Sequence, residues 1–331
     1  MSSNARELAG YASSLPNFRN KLINGTFDFW QRGTSQTSSG YGSADRWNNN
    51  HSGSSKTASQ QAFTVGQTEV PDNPKYYLRT VVTSSTGAAN NCSTQQRIEG
   101  VTTLAGQTVT LSFWAKADSN KDIATEFTQD FGTGGSPSSR VDGIGVTTHS
   151  LTTSWQKFTV TSAMPSISGK TIGTDNNDYI RVLFFFEAGS DFNSRTNSLG
   201  HQSGTFDIAQ VQLEGGTVAT PFEHRPISVE LSLCQRYYNK LSPRYMAGQF
   251  LISGEVASQF VSFPVQMRAS PTVTYGSVQI RENSGGFANV SVSGNNGISA
   301  SGINLVVSQS GAATSDSFII YAADLEFNAE L

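Results

Sequence analysis

The sequence predicts an all-β protein in two parts, on three observations. Only 36% of the 331 residues are apolar and 14% charged, against about 45–50% and about 25% in ordinary soluble domains. Ser, Thr, Asn, Gln and 31 glycines fill the gap, which suits many short strands joined by polar turns. Thr110–Ala117 alternates without a break, with Leu111, Phe113, Ala115 and Ala117 on one side and Ser112, Trp114 and Lys116 on the other. That period describes a strand with one covered face and one that tolerates water, as in an antiparallel sheet. Helical periodicity surfaces in only two short stretches, one at the N-terminus and one between two β regions. The length itself suits about two domains.

Residues 1–21 form the first stretch, with a helix expected over 4–15. Asn4 caps it, Glu7 completes a capping box, and Leu8, Tyr11, Ala12 and Leu15 share a face. Gly10 weakens it and Pro16 stops it. It reads as a docking or trimer-forming segment, or as a helix packed on its own domain. Residues 22–226 carry β signals, with strands expected at Tyr76–Val82, Thr94–Ile98, Thr108–Ala117, Gln156–Ser162, Ile180–Glu187 and Thr205–Leu213. Polar turns such as 83–91 and 132–139 separate them. Residues 227–244 read as a linker helix. Ser228 caps it, Val229, Leu233 and Tyr237 recur every four residues, and Cys234, Tyr238 and Leu241 widen the stripe before Pro243. Residues 245–331 return to strands, at 249–252, 255–263, 272–280, 288–292, 303–307 and 317–325, and form a smaller β domain.

A net charge of −3 and the lack of any Lys/Arg run argue against nucleic acid as a partner. No stretch of about 18 apolar residues exists, so no membrane insertion is expected; the densest run, Val182–Phe186, has strand length. The N-terminus has no apolar signal core. Cys92 and Cys234 lie far apart with no CxxC, so a reduced, intracellular assembly compartment is the simplest expectation.

Catalytic signatures are missing. His51, His149, His201 and His224 fall at no metal spacing, and there is no GxSxG elbow or phosphate loop. Gly132–Gly135 reads as a plain loop. Asp28, Asp45, Asp118, Asp142 and Glu187 are acids of the right type for glycoside hydrolysis, but that chemistry needs a pair at a fixed separation, and their spacing assembles none. Asp175-Asn176-Asn177-Asp178 offers oxygen ligands for calcium without the glycine and terminal glutamate of an EF-hand. A polar turn is the cheaper reading. No catalytic residue, metal or cofactor is expected.

What remains is an aromatic residue on a polar strand face. A pyranose lays its apolar face flat on an indole while neighbouring polar groups bond its hydroxyls. Trp114 has the register for this, and Gln96, Lys116, Arg181 and Glu187 are expected as hydroxyl partners, with Arg97 nearby. The alternative is that a loop or another subunit covers Trp114. Trp30, Trp47 and Trp155 read as core or turn anchors.

Ordered motifs also carry a resemblance. Leu22-Ile23-Asn24-Gly25-Thr26-Phe27-Asp28-Phe29-Trp30-Gln31-Arg32-Gly33 followed by Ala44-Asp45-Arg46-Trp47, then Tyr77-Leu78-Arg79, Gln96–Gly100, Leu104–Ala117, Trp155–Val160 and Phe206–Gly216, resembles the jelly-roll carbohydrate-binding modules of glycanases over residues 22–225. Thr220–Pro226, Cys234-Gln235-Arg236-Tyr237-Tyr238, Phe263–Pro271 and Tyr321–Leu331 are similar to bacteriophage tail-fibre and receptor-binding proteins. The resemblance implies a jelly roll followed by a smaller C-terminal β-sandwich. It also implies a homotrimer in the virion tail, assembled in the host cytoplasm beside other tail proteins. Modules of this type often hold a structural calcium through an Asp of the final strand; that position here is Ala209, with Asp207 two residues before it.

The expected function is therefore non-enzymatic attachment of a phage tail fibre to bacterial cell-surface polysaccharide through the jelly roll. Two rivals stay open: a purely structural virion protein, such as a connector or capsid decoration, and a polysaccharide depolymerase.

Overall fold

The computed structural model describes residues 18–241, 244–249, 256–282, 288–289, 292–308, 317–322 and 324–331. The helix expected over 4–15 lies outside them. The chain divides into two units, Met1–Ile227 with Leu331, and Ser228–Glu330.

The first unit contains β1 (Ser35–Gln36), β2 (Asn48–Ser52), β3 (Ser55–Ala62), β4 (Tyr76–Thr83), β5 (Asn91–Glu99), β6 (Thr108–Ala117), β7 (Lys121–Asp130), β8 (Val141–Leu151), β9 (Gln156–Ala163), β10 (Tyr179–Ala188) and β11 (Gly204–Gly215). They form a six-stranded sheet in the order β1-β3-β4-β11-β6-β9 and a five-stranded sheet in the order β2-β5-β10-β7-β8. The chain crosses repeatedly between the two sheets, so most ladder neighbours are distant in sequence: a jelly-roll β-sandwich. One core fills it. Leu111, Phe113 and Ala115 of β6 are fully buried there, with Val182, Phe184 and Phe186 of β10. The Phe113 and Phe184 rings meet edge to face at 5.0 Å, the arrangement the ring quadrupoles favour.

The opening motif explains itself as a corner clasp. The Asn24 amide donates to the Phe29 and Asp45 carbonyls, the Trp47 indole donates to the Asn24 carbonyl, and the Asp45 carboxylate accepts from the Gln31 backbone and side chain. Gly25 is required for space, since a Cβ there meets the Val211 carbonyl oxygen at 2.2 Å. The Thr220–Pro226 motif closes the same corner. Glu223 accepts from the Arg19 and Asn20 amides, and Arg225 donates to the Leu22 and Asn20 carbonyls.

Five strands escape the sequence pattern. β1 is two residues long, β2 and β3 are polar, β7 carries Asp122 and Glu126, and β8 contains Gly143 and Gly145. After β10, a 3₁₀ turn (Ser190–Phe192) leads into the one-turn helix α1 (Asn193–Thr196). Phe192 and Leu199 pack on Ala124, Leu183 and Phe185, covering part of the five-stranded sheet's outer face.

In the second unit, α2 (Ile227–Gln235) is followed by β12 (Tyr238–Leu241). This corrects the helix expected to run on to Leu241. Tyr238–Leu241 pairs residue by residue with Asn328–Leu325, and this long-range ladder outweighs a local helical stripe in a segment with two strand-favouring tyrosines. Then come β13 (Arg244–Gln249), β14 (Val256–Ser262), β15 (Thr272–Tyr275), β16 (Val278–Glu282), β17 (Ala288–Asn289), β18 (Val292–Asn296), β19 (Gly302–Ser308), β20 (Ser317–Ala322) and β21 (Leu325–Asn328). The single strands expected over 272–280 and 317–325 each break in two. All ladders are antiparallel, in three small sheets. Val261, Ile280, Ile303, Leu305, Ile320 and Phe327 share one core. Among the described residues no helix is long and apolar enough to cross a membrane. Cys92 and Cys234 are both buried and are not bonded to each other.

Candidate functional site

β11, β6 and β9 run side by side in the six-stranded sheet. At the middle of the three, Trp114 sits between Ala209 on one neighbour and Lys157 on the other. Phe113 belongs to the sandwich core and Trp114 to a separate cluster on the outer face, as the alternation predicts. The indole is half-buried, packing on Val70, Trp155 and Ala209. Beside it Phe63, Tyr77 and Trp155 pack ring on ring at 4.8–5.2 Å. Trp155 is thus an anchor, as expected, but on the outer face.

A cleft of about 370 Å³ opens at Trp114. Ser112, Lys157 and Gln210 line it from the sheet, Pro71 and Asp72 from the β3–β4 connection, and Ala219, Pro221 and Phe222 from the segment after β11. The ladder between β6 and β11 shifts register between Ala209 and Gln212, and Gln210 takes a left-handed backbone with φ of 46°. A bulge of this kind re-aims side chains where a regular ladder would not. Here the buried Gln210 amide donates 2.8 Å to the Pro71 carbonyl, tying the rim loop to the sheet. Asp72 and His224 face each other at 3.4 Å.

The structure separates the other expected partners from this cleft. Lys116 shares the face, two residues along β6, with its ammonium 5.2 Å from the Trp155 ring centre. Gln96 lies on β5 in the other sheet, buried, and its amide clamps the Ile23 backbone at both N–H (2.7 Å) and carbonyl (2.8 Å). Arg181 is on the outer face of that five-stranded sheet, buried, and donates to Gln95, Thr128 and Asp142, each at 3.0 Å. Glu187 follows a bulge in β10 and is fully buried, accepting from Ser84 and pairing with His201, both at 2.8 Å. Gln96, Arg181 and Glu187 are therefore framework groups. Placing them beside Trp114 assumed one open face, whereas the pairing puts them on the opposite sheet.

Around Arg181 that face is a lattice of charges. Arg195 pairs with the buried Glu126 and lies 3.6 Å from Asp142, which Arg140 also contacts at 2.9 Å. Burial pushes the Glu126 carboxyl up, and Arg195 only partly offsets it. Burial would do the same to Asp142, but the Thr128 hydroxyl and the three guanidiniums outweigh it and hold that carboxyl below its usual range.

The calcium position of the resembled modules does not fit calcium here. Ala209 offers no ligand, and Asp207 is taken by a two-pronged bond to Arg79 at 2.8 and 2.9 Å. In the 175–178 turn, Asp175 and Asn177 bond Thr133, and Asp178 accepts from the Val101 amide. Among the described residues no group of three His, Cys, Asp or Glu suits a metal ion.

Of the cleft residues only Trp114 was expected; Ser112, Lys157, Asp72, Gln210 and Phe222 are among those that sequence reasoning missed. Lys157 was within reach, since it precedes Phe158 in an alternating strand. A bulge and two loop residues leave no periodic trace.

No family model and no curated protein matches the sequence. Among solved structures, the chain is similar to a CBM4 structure at 19% identity and a TM-score of 0.32, covering 58% of this chain and 98% of that one. It is similar to the family 11 carbohydrate-binding module from Clostridium thermocellum at 11% identity and a TM-score of 0.32, covering 56% and 98%. It is also similar to the enzymatically active domain of bacteriophage CBA120 tailspike protein 4 at 11% identity and a TM-score of 0.35; this match covers 61% of this chain and 22% of that one.

Proposed function

We propose that the protein binds glycan without cleaving it, through the Trp114 cleft. The carrying observation is a half-buried indole that walls a cleft of about 370 Å³, ringed by Ser112, Lys157, Gln210 and Asp72. An apolar ring with convergent polar groups suits a sugar, which has an apolar face and hydroxyl edges, and the volume is that of an ordinary small-ligand site. Asp72 is the single carboxylate among the lining residues, whereas hydrolysis needs a pair. That favours binding over depolymerisation.

From the ordered motifs we read the protein further as a phage tail-fibre or receptor-binding component. It would be a homotrimer in the virion tail that attaches to bacterial cell-surface polysaccharide. Repetition of a shallow site then raises attachment through effective concentration. The test incubates the protein with surface polysaccharide from bacterial hosts, following tryptophan fluorescence and the release of reducing ends, with light scattering for the assembly. A saturable fluorescence change with no reducing ends, from a trimer, is the expected result. Reducing ends that accumulate with time overturn the non-catalytic reading. A monomer overturns the trimer.

A further inference from the structure

The charged groups in and beside the cleft are unevenly spent. Asp207 is held by Arg79 through two bonds, Asp72 faces His224 at 3.4 Å, and Glu214 accepts from the Thr220 amide at 2.9 Å and hydroxyl at 2.7 Å. The Asp207 and Glu214 carboxylates are thus bonded within the protein, while Asp72 stays half-exposed beside an imidazole. Lys157 is exposed, and among the described residues it makes no ion pair and no hydrogen bond. It stands directly across the ladder from Trp114, where opposed side chains begin about 4.5–5.5 Å apart. Lys116, two residues along on the same face, also has no ion pair; its ammonium rests by the Trp155 ring.

In a chain of net charge −3, an unpaired ammonium at the edge of an aromatic platform asks for an anion on a flat ring. We infer that the cleft selects an acidic sugar, a pyranose carrying a carboxylate, whose ring stacks on Trp114 while the carboxylate meets Lys157. The inference rests on the glycan reading of the cleft and narrows it. A neutral sugar leaves the Lys157 ammonium with water alone. A uronic acid gives it a charge-assisted bond, roughly twice as strong as a neutral one. Lysine also suits the task, as a mobile point charge that follows a carboxylate at either edge of the ring.

The test uses the full chain and two polymers, polygalacturonate and the same polymer with its carboxyls reduced to alcohols, so that only the charge differs. Affinity electrophoresis gives binding constants for the parent, Lys157→Gln and Trp114→Ala. The parent is expected to prefer the acidic polymer about tenfold, with the preference shrinking as salt rises. Lys157→Gln should lose the acidic preference and bind the two polymers alike. Equal binding of the two polymers by the parent overturns the acidic-sugar inference and leaves the glycan reading standing. Binding of neither polymer overturns the inference as well, and the glycan reading then rests on the surface polysaccharide above. Binding that Trp114→Ala leaves untouched removes the cleft itself, and both statements fall.

Discussion

The two outer faces of the jelly roll are built from the same kinds of residue to opposite ends. On the five-stranded sheet the arginines and acids are spent on each other: Arg181, Arg195 and Arg140 converge on Asp142 and Glu126, and Phe192 and Leu199 cover a further part. On the six-stranded sheet the aromatic layer is only half covered, Trp114 borders a cleft, and Lys157 has no ionic partner among the described residues. On the proposed function, a charged face is therefore no sign of a binding face. What separates them is whether the polar groups are already satisfied, because a group bonded within the protein must give up that bond to take a ligand.

The largest effect expected is on the sealed face. Arg195→Ala leaves the Glu126 carboxyl, whose side chain has no exposed surface, with the Gly143 amide at 2.9 Å as its remaining hydrogen-bond donor. Removing one member of a buried pair costs about 3–5 kcal/mol. Urea unfolding should show that loss while glycan affinity of the folded variant stays at the parent's value. If the folded variant loses glycan instead, the comparison is reversed and the ligand belongs on the five-stranded sheet.

How much of this contrast was legible beforehand depends on the range of the interaction. The facing of β6 was readable because a strand has period two, and Leu111, Phe113 and Ala115 turned inward as read. The fates of Gln96 and Arg181 were not readable. Their positions within a strand are local facts, but which sheet a strand joins is decided by partners some 50–100 residues away, as in the pairing of β10 with β5 and β7. Glu187 is further displaced by a bulge between Phe185 and Glu187. The helix expected on to Leu241 stops at Gln235 for the same reason, since Tyr238–Leu241 is claimed by a strand from the far end of the chain.

A second prediction concerns the core that both faces share. His149 is 5% exposed, shares a 2.9 Å hydrogen bond with the Thr125 hydroxyl and packs against the Phe113 and Phe158 rings. Burial lowers its pKa to about 4, from 6.5. The unfolded chain takes up the proton first, so stability falls as pH drops from about 6.5 to about 4 and then levels. The shift corresponds to about 3 kcal/mol. His149→Gln, which retains a hydrogen-bonding amide, should flatten this part of the acid limb in urea titrations across that range. An unchanged limb would assign it to the carboxylates of the five-stranded face instead.

On the open face, Trp114→Ala should weaken glycan binding by about 2 kcal/mol, the usual size for a stacking hot spot, or roughly thirtyfold. The loss should show in fluorescence or electrophoretic titration, with the fold intact by circular dichroism. Parent-like binding by a folded variant would make the aromatic layer a packing surface, no different in kind from the sealed sheet.

The smallest effect tests how the open face is kept open. Gln210 holds a left-handed backbone, which costs a non-glycine residue about 1–2 kcal/mol, and its side chain spans to the Pro71 carbonyl. Gln210→Gly relieves the backbone and gives up one neutral hydrogen bond of about 1 kcal/mol. The two nearly cancel, so stability should move by less than about 1 kcal/mol. The bulge should survive, because the Val211 amide donates to the Gly25 carbonyl at 2.9 Å and Asn20 donates to the Val211 carbonyl at 3.1 Å, neither bond involving the Gln210 side chain. What is lost is the tie between the sheet and the Pro71–Asp72 rim. Glycan affinity should therefore fall by about threefold, somewhat less than one hydrogen bond's worth, with Tm nearly unchanged. A large fall in Tm would mean that the side chain holds the bulge in place; an unchanged affinity would mean that the rim keeps its position without the sheet.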